Sequence, residues 1–198
     1  MNHGSIKESL IKKWSRDLVV ALMYLHRMDI AHRDIKCDNI LLTAKYNVKL
    51  ADFGFARYTR DHQGSPLFAS TDCGSLNYTA PEVLLGIPYN PKIADIWSLG
   101  VVIFIMLNGS FPFVAKDVTS LYREQIARDF KFTQTANKNA SSHLLNVIRM
   151  LLEPVYHERM TLEDILHSEW IGVPKGLTGL TSLEEAAQSR IHTSMKRS

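Results

Sequence analysis

Apolar side chains near the start of the chain fall at Ile6, Leu10, Ile11, Trp14, Leu18, Leu22 and Leu25. Gaps of three and four place them on one face, so the spacing predicts an amphipathic helix over about residues 6–27. Ser5, with Glu8 three positions later, reads as a capping box at its start. Past Met28 the period is lost. Two short apolar pieces, Ile40-Leu41-Leu42 and Val48-Lys49-Leu50-Ala51, flank a turn-like stretch at Lys45 to Asn47. They predict one small β-hairpin. Residues 52–80 are mostly polar and small, with Gly54, Gly64, Pro66 and Gly74. Connections of this length inside a compact domain are uncommon and usually functional.

Helical patterning resumes near Pro81. From Ile93 to Leu107 the run IADIWSLGVVIFIML is apolar on nearly every face. Such a helix is buried, and the others should pack around it. Asn108, Gly109 and Pro112 end it. Two further helices are expected over about 118–128 and 141–152. A last one should begin near Thr161, where Thr161 and Asp164 resemble an N-cap pair. Residues 172–198 are polar and rich in Gly, Ser and Thr, with at most a short helix near Leu183 to Gln188. They are expected to form a mobile tail. The fold class is mainly α with one small hairpin, and no internal repeat is visible.

Composition narrows the classes. The chain has 198 residues, 45% of them apolar and 22% charged, as expected for one soluble globular domain. A net charge of +3 is too small to point to nucleic acid or a membrane. Cys37 and Cys73 are the only cysteines and form no disulfide framework or metal-ligand spacing. They predict a reducing compartment, the cytosol or nucleus. The opening residues are too polar for a signal peptide. The longest apolar stretch, around Val101 to Leu107, falls short of a membrane span.

The chemistry lies in three short motifs in order. His32-Arg33-Asp34-Ile35-Lys36-Cys37-Asp38-Asn39 comes first. Asp52-Phe53-Gly54 begins thirteen residues after Asn39, and Ala80-Pro81-Glu82 follows. Any one triplet is weak. The ordered set, with Asn five residues after the first Asp, resembles the signature of the protein kinases. Phosphoryl transfer needs positioning and charge neutralisation more than covalent help. The resemblance implies Asp34 as the base facing the attacking hydroxyl and Lys36 as the cation on the transferring phosphoryl group. Asn39 and Asp52 are implied as ligands of Mg2+, which favours few, hard oxygen donors. ATP is the implied nucleotide, held by Lys36, Asn39 and Asp52, with Leu41 under its adenine.

Lys36 at its position resembles the serine/threonine branch rather than the tyrosine kinases. Ser75, seven residues before Glu82, matches a family hydroxyl that bonds the catalytic Asp and Lys. Glu82 resembles the buried acid that pairs with a distant arginine, here Arg159. Asp95, in Asp95-Ile96-Trp97-Ser98-Leu99-Gly100, resembles the acid that bonds the catalytic-loop backbone. A buried Asp at the head of an apolar helix demands such partners. His32 and Phe53 resemble packed-spine residues, with Gly54 completing their motif. Thr71 sits at the usual phosphorylation position before the Ala80-Pro81-Glu82 motif. A phosphate there would dock on Arg33, placed by an upstream activating kinase.

The resemblance spans residues 4–171 and is closest to the testis-specific serine kinases, near the calmodulin-kinase-like branch. It rests on Tyr46-Asn47-Val48-Lys49-Leu50, Asp52 to Arg57, Cys73-Gly74-Ser75 and Leu151-Leu152-Glu153-Pro154. No Gly-rich GxGxxG occurs upstream of residue 32, and the family's strand Lys and helix Glu are not found there either. The expectation is therefore a kinase C-terminal lobe over residues 1–171, with its N-terminal lobe missing. Its apolar upper face, around Leu41 and Phe53, would be open to a partner. Asp38 has two readings, selection of a basic residue beside the phosphoacceptor or a solvated surface charge. Function likewise has two: a kinase acting on serine and threonine of protein substrates, or an inactive docking module. No Walker-type motif supports a nucleotide-binding protein of another fold.

Overall fold

Helix α1 (Glu8–Arg27) buries Ile11, Ser15, Leu18, Val19, Leu22 and Met23, the stripe that a 3.6-residue period produces. The computed structural model describes residues 6–69 and 75–172. Ser5, Thr71, Cys73 and the tail from 173 onward lie outside the described residues. The N-cap of α1 is Lys7, with no side-chain cap, so Glu8 does not act there as the capping-box reading expects. Its carboxylate instead accepts bonds from Ser141 N (2.7 Å), Ser141 Oγ (2.6 Å) and Trp170 Nε1 (2.9 Å). Glu8 thus anchors Ser141, the N-cap residue of a later helix, and ties the first helix to the last described turn.

The chain then forms β1 (Ile30–Ala31), the hairpin strands β2 (Ile40–Leu42) and β3 (Val48–Leu50), and β4 (Arg57–Tyr58). The hairpin pairs Ile40 with Leu50 and Leu42 with Val48. Tyr46, at a φ of 57°, turns it. Asp17 and Lys13 of α1 hold that turn from below. Asp17 Oδ2 accepts from Val48 N at 3.1 Å, and Lys13 Nζ donates to Tyr46 O at 2.7 Å. A second two-stranded sheet, β1 with β4, was not expected. Strands of two residues are too short for any period to register.

Short α2 (Pro81–Leu84) leads to α3 (Pro91–Asn108). Asn90 caps α3 by accepting from Lys92 N, Pro91 opens it, and Gly109 at a φ of 73° ends it. By length and composition α3 could cross a membrane. Here it is the central helix, packed against α1 and β1 and against helices that follow. Trp97, Leu99, Val101, Ile103 and Phe104 are buried round its circumference. Then come α4 (Val118–Ile126), α5 (Gln134–Asn139), α6 (Ser142–Leu151) and α7 (Leu162–His167). Gly100 faces α6 so closely that a Cβ would lie 2.8 Å from Leu151 Cβ. The reciprocal Thr161–Asp164 capping box is present at α7.

Candidate active site

The site is assembled where the loop after β1 meets the end of β3. Arg33 has a φ of 67° and Asp52 one of 59°, a left-handed backbone that non-glycine residues seldom adopt. Both are held from outside. Asp95, buried on the first turns of α3, accepts from His32 N (2.9 Å) and Arg33 N (2.8 Å). His26 Nε2 lies 2.9 Å from the same carboxylate. The carbonyl of Ala51 is 3.1 Å from His32 Nε2, and Ala51 N donates to Asn39 O at 2.9 Å. These bonds fix the loop carrying Asp34 and Asn39 to the strand end carrying Asp52.

Asp34 is 4% exposed. A charge so placed needs partners. Oδ2 has two: Lys36 Nζ at 2.7 Å and Asn39 Nδ2 at 2.9 Å. Asn39 Nδ2 also donates to the Asp34 carbonyl at 2.8 Å. Oδ1 takes no hydrogen bond among the described residues. The bond to Asp34 is the main cause holding the Lys36 ammonium above the ordinary lysine range. Lys36 is therefore cationic throughout the physiological range. Cys37 N donates to Tyr78 Oη at 3.4 Å, and desolvation raises both the Cys37 thiol and the Tyr78 phenol.

The donor set suits a magnesium nucleotide. Asn39 commits its amide nitrogen to Asp34, which leaves its carbonyl oxygen to face a cation. Asp52 Oδ1 accepts from Gly54 N at 3.1 Å, and among the described residues Oδ2 takes no hydrogen bond. A Cβ on Gly54 would stand 3.1 Å from that Oδ1, so glycine keeps room for the carboxylate. Among the described residues no three His, Cys, Asp or Glu side chains converge on a point. Two oxygen donors beside a lysine are the kind of site in which Mg2+ keeps its waters.

The other candidate residues fall into place around this cluster. His32 is fully buried and packs its ring on Phe53, centroids 5.0 Å apart. Phe53 and Leu41 are themselves 51% and 54% exposed, with Leu42 and Phe55 open beside them. Glu82 and Arg159 form a buried two-point ion pair at 2.6 and 2.8 Å. Arg159 also donates to the carbonyls of Ile93 and Glu153 and lies over the Trp97 ring. Ser75 departs from expectation. It lines a cavity with Arg33 and Asp34, but its recorded bonds run through its carbonyl, to Tyr78 N and Thr79 Oγ1. Among the described residues its hydroxyl bonds neither Asp34 nor Lys36.

Two further residues beside the cluster have no role assigned to them in the sequence reading. His26 supports Asp95 from a helix 69 positions away in the chain. Arg57 joins Arg33 in lining a second cavity of about 220 Å³, walled by Tyr58, Phe68 and Ala69. Its place beside Asp52-Phe53-Gly54 was the one clue.

A mainly helical fold that holds a buried, lysine-paired aspartate beside an asparagine and a second, exposed aspartate carries the ordered motifs of the protein kinase class. The chain belongs to the protein kinase family: residues 1–171 match the protein kinase domain. It is 40% identical over 173 residues to the testis-specific serine/threonine-protein kinase 2 of Mus musculus, a match covering 87% of this chain and 48% of that protein. It is 38% identical over 169 residues to the human testis-specific serine/threonine-protein kinase 1, covering 85% and 46%. It is 36% identical over 171 residues to a probable serine/threonine-protein kinase KIN1 homolog of Encephalitozoon cuniculi, covering 86% and 29%. The chain spans about half the length of the first two relatives.

Proposed function

We propose that the chain is the helix-rich C-terminal lobe of a serine/threonine protein kinase, residues 1–171, followed by a polar tail. Its reaction is transfer of the γ-phosphate of ATP to a serine or threonine hydroxyl of a protein. One observation carries this reading: Asp34 is buried with Oδ2 fixed by Lys36 and Asn39 while Oδ1 stays open. Oδ1 accepts the proton of the substrate hydroxyl. The hydroxyl oxygen bonds to phosphorus as the bond to ADP breaks. Lys36 balances charge on the moving phosphoryl group. Asn39 and Asp52 would hold magnesium, which when bound screens the phosphates and orients them. Leu41 offers an apolar seat for the adenine. Phospho-Thr71, made by an upstream kinase, would dock between Arg33 and Arg57 in the cavity they line. The reducing cytosol or nucleus suits the free thiol of Cys37.

The other half of the nucleotide site, a Gly-rich lid with its lysine, is supplied from outside these residues. The exposed Leu41, Leu42, Phe53 and Phe55 form the face it would cover. Two measurements test the reading. The 198-residue chain alone should bind ATP more weakly than micromolar by calorimetry. Preceded by the N-terminal lobe of a testis-specific relative, it should phosphorylate a basic protein, and Asp34→Asn should lower the rate about 10²–10⁴-fold. A folded hybrid as inactive as its Asp34→Asn variant would favour the alternative, an inactive docking module.

A further inference from the structure

One cavity on the described surface shares no residue with the phosphotransfer cluster. It is a groove of about 760 Å³ between the outer face of α1 and strand β3. Lys12, Arg16 and Val20 follow one another at every fourth residue of α1, so they form a single row along its floor. Lys49 of β3 lines the opposite side, and Ala21 and Ile171 belong to its apolar lining.

The electrostatics of the groove are one-sided. Four cations line it, Lys12, Lys13, Arg16 and Lys49, against one carboxylate, Asp17. Its Oδ2 accepts from Val48 N at 3.1 Å, a neutral donor, so its charge still counts and the lining keeps three cations in excess. Lys13 is spent on neutral oxygens, the Tyr46 carbonyl at 2.7 Å and Asn47 Oδ1 at 2.8 Å, which hold the hairpin turn but leave its charge unbalanced. Among the described residues no carboxylate pairs with Lys12, Arg16 or Lys49. The whole chain has a net charge of only +3, so a concentration of this size is local. Val20, 51% exposed, adds an apolar foothold beside the charges.

We propose that this groove is a docking site for an acidic peptide segment of a partner protein, separate from the residues that handle phosphate. Glutamates or aspartates of the segment pair with Lys12, Arg16 and Lys49. An apolar side chain of the segment rests on Val20 and Ala21. The cations would serve phosphates as well as carboxylates, but the lining holds apolar side chains and no aromatic ring on which bases could stack, which favours a peptide over a nucleic acid strand. Cations placed along a groove set on-rate and partner choice more than raw affinity. Binding there leaves Asp34 open, so the segment tethers a partner without blocking the site.

The test uses the full chain and a fluorescein-labelled peptide of roughly fifteen residues that repeats Glu-Glu-Leu. Fluorescence anisotropy should show saturable binding that weakens as salt rises from about 0.05 to about 0.3 M. A Lys12→Glu/Arg16→Glu/Lys49→Glu variant, folded by circular dichroism, should lose at least about tenfold in affinity. Val20→Ser should lose several-fold, and so should a peptide with serine for leucine. Reversing Lys116, a charge outside the groove, should change nothing. Equal binding by the triple variant would overturn the proposal. So would equal binding of the leucine-free peptide, or tighter binding of a single-stranded oligonucleotide than of the peptide. A chain ending at Gly172 that gains affinity would assign the groove to the tail instead. None of these readouts involves ATP, so they stand or fall apart from the phosphotransfer reading.

Discussion

At the scale of single residues, the buried charges among the described residues are arranged so that none stands alone. Arg159 is the clearest case. It is enclosed, paired at two points with Glu82, and bonded to two backbone carbonyls. Arg159→Met keeps most of the volume but strands a carboxylate that is 9% exposed. The expected loss is about 3–5 kcal/mol, read from urea unfolding. An unchanged midpoint would mean that Glu82 finds another donor or takes up a proton at little cost. Motif order and spacing single out Asp34, Asn39 and Asp52 in the sequence, while Asp95 and the Glu82–Arg159 pair are legible only through the resemblance to the protein kinases. Their contacts now have distances. His26 and Arg57 could not be picked out. Each acts through a neighbour remote in the chain or through a cavity, and neither sits at a motif position that chemistry alone would require. The hydroxyl of Ser75 was read from resemblance only, and its backbone carbonyl proved to be the bonded group.

At the scale of elements, caps explain where helices start. Asp117 heads α4 and accepts from Ser120 N at 2.9 Å and Ser120 Oγ at 2.8 Å. These bonds, backbone first, hold its carboxyl below the usual aspartate range. A carboxyl whose pKa is lower in the fold than in the unfolded chain stabilises above its unfolded value. That help is lost as the pH falls through the folded value. Asp117→Ala should therefore melt at a lower temperature than the parent at neutral pH, and the gap should close below about pH 4. A gap independent of pH, in a scan by circular dichroism, would sink the capping account. Helix α1 is legible because one-sided burial imposes a period, α3 because burial on all sides makes it apolar throughout, and the hairpin because two short apolar runs flank a turn. Helix α5 is not. Its sequence, QTANKN, buries only Ala136, and its one signal is the Thr133 cap that accepts from Ala136 N. The β1–β4 sheet is legible only in three dimensions, since each strand is set by its partner.

At the scale of the whole molecule, one end is sealed and the other open. Around α3 the aromatic groups close-pack: Trp97 stacks on Phe113 at 5.8 Å, and Phe104 meets Phe130 and Phe132. Above the hairpin, by contrast, Leu41, Leu42, Phe53 and Phe55 face solvent. Patches of this kind seek a cover. The isolated chain should enhance the fluorescence of a hydrophobic dye, and Leu41→Ser with Phe53→Ser should reduce the enhancement by more than half. A chain that leaves the dye dark would show the face already covered. The sealed end has a consequence for how the molecule is made. Glu8 finds Ser141 and Trp170, 133 and 162 positions later. At a ribosomal rate of about 5–20 residues per second, its carboxylate waits on the order of ten seconds or more for them. Helix α1 is thus latched by segments synthesised long after it. Folding during translation is held back until the two meet, and a nascent chain stalled before Trp170 should be an easy target for proteases and a natural client of chaperones.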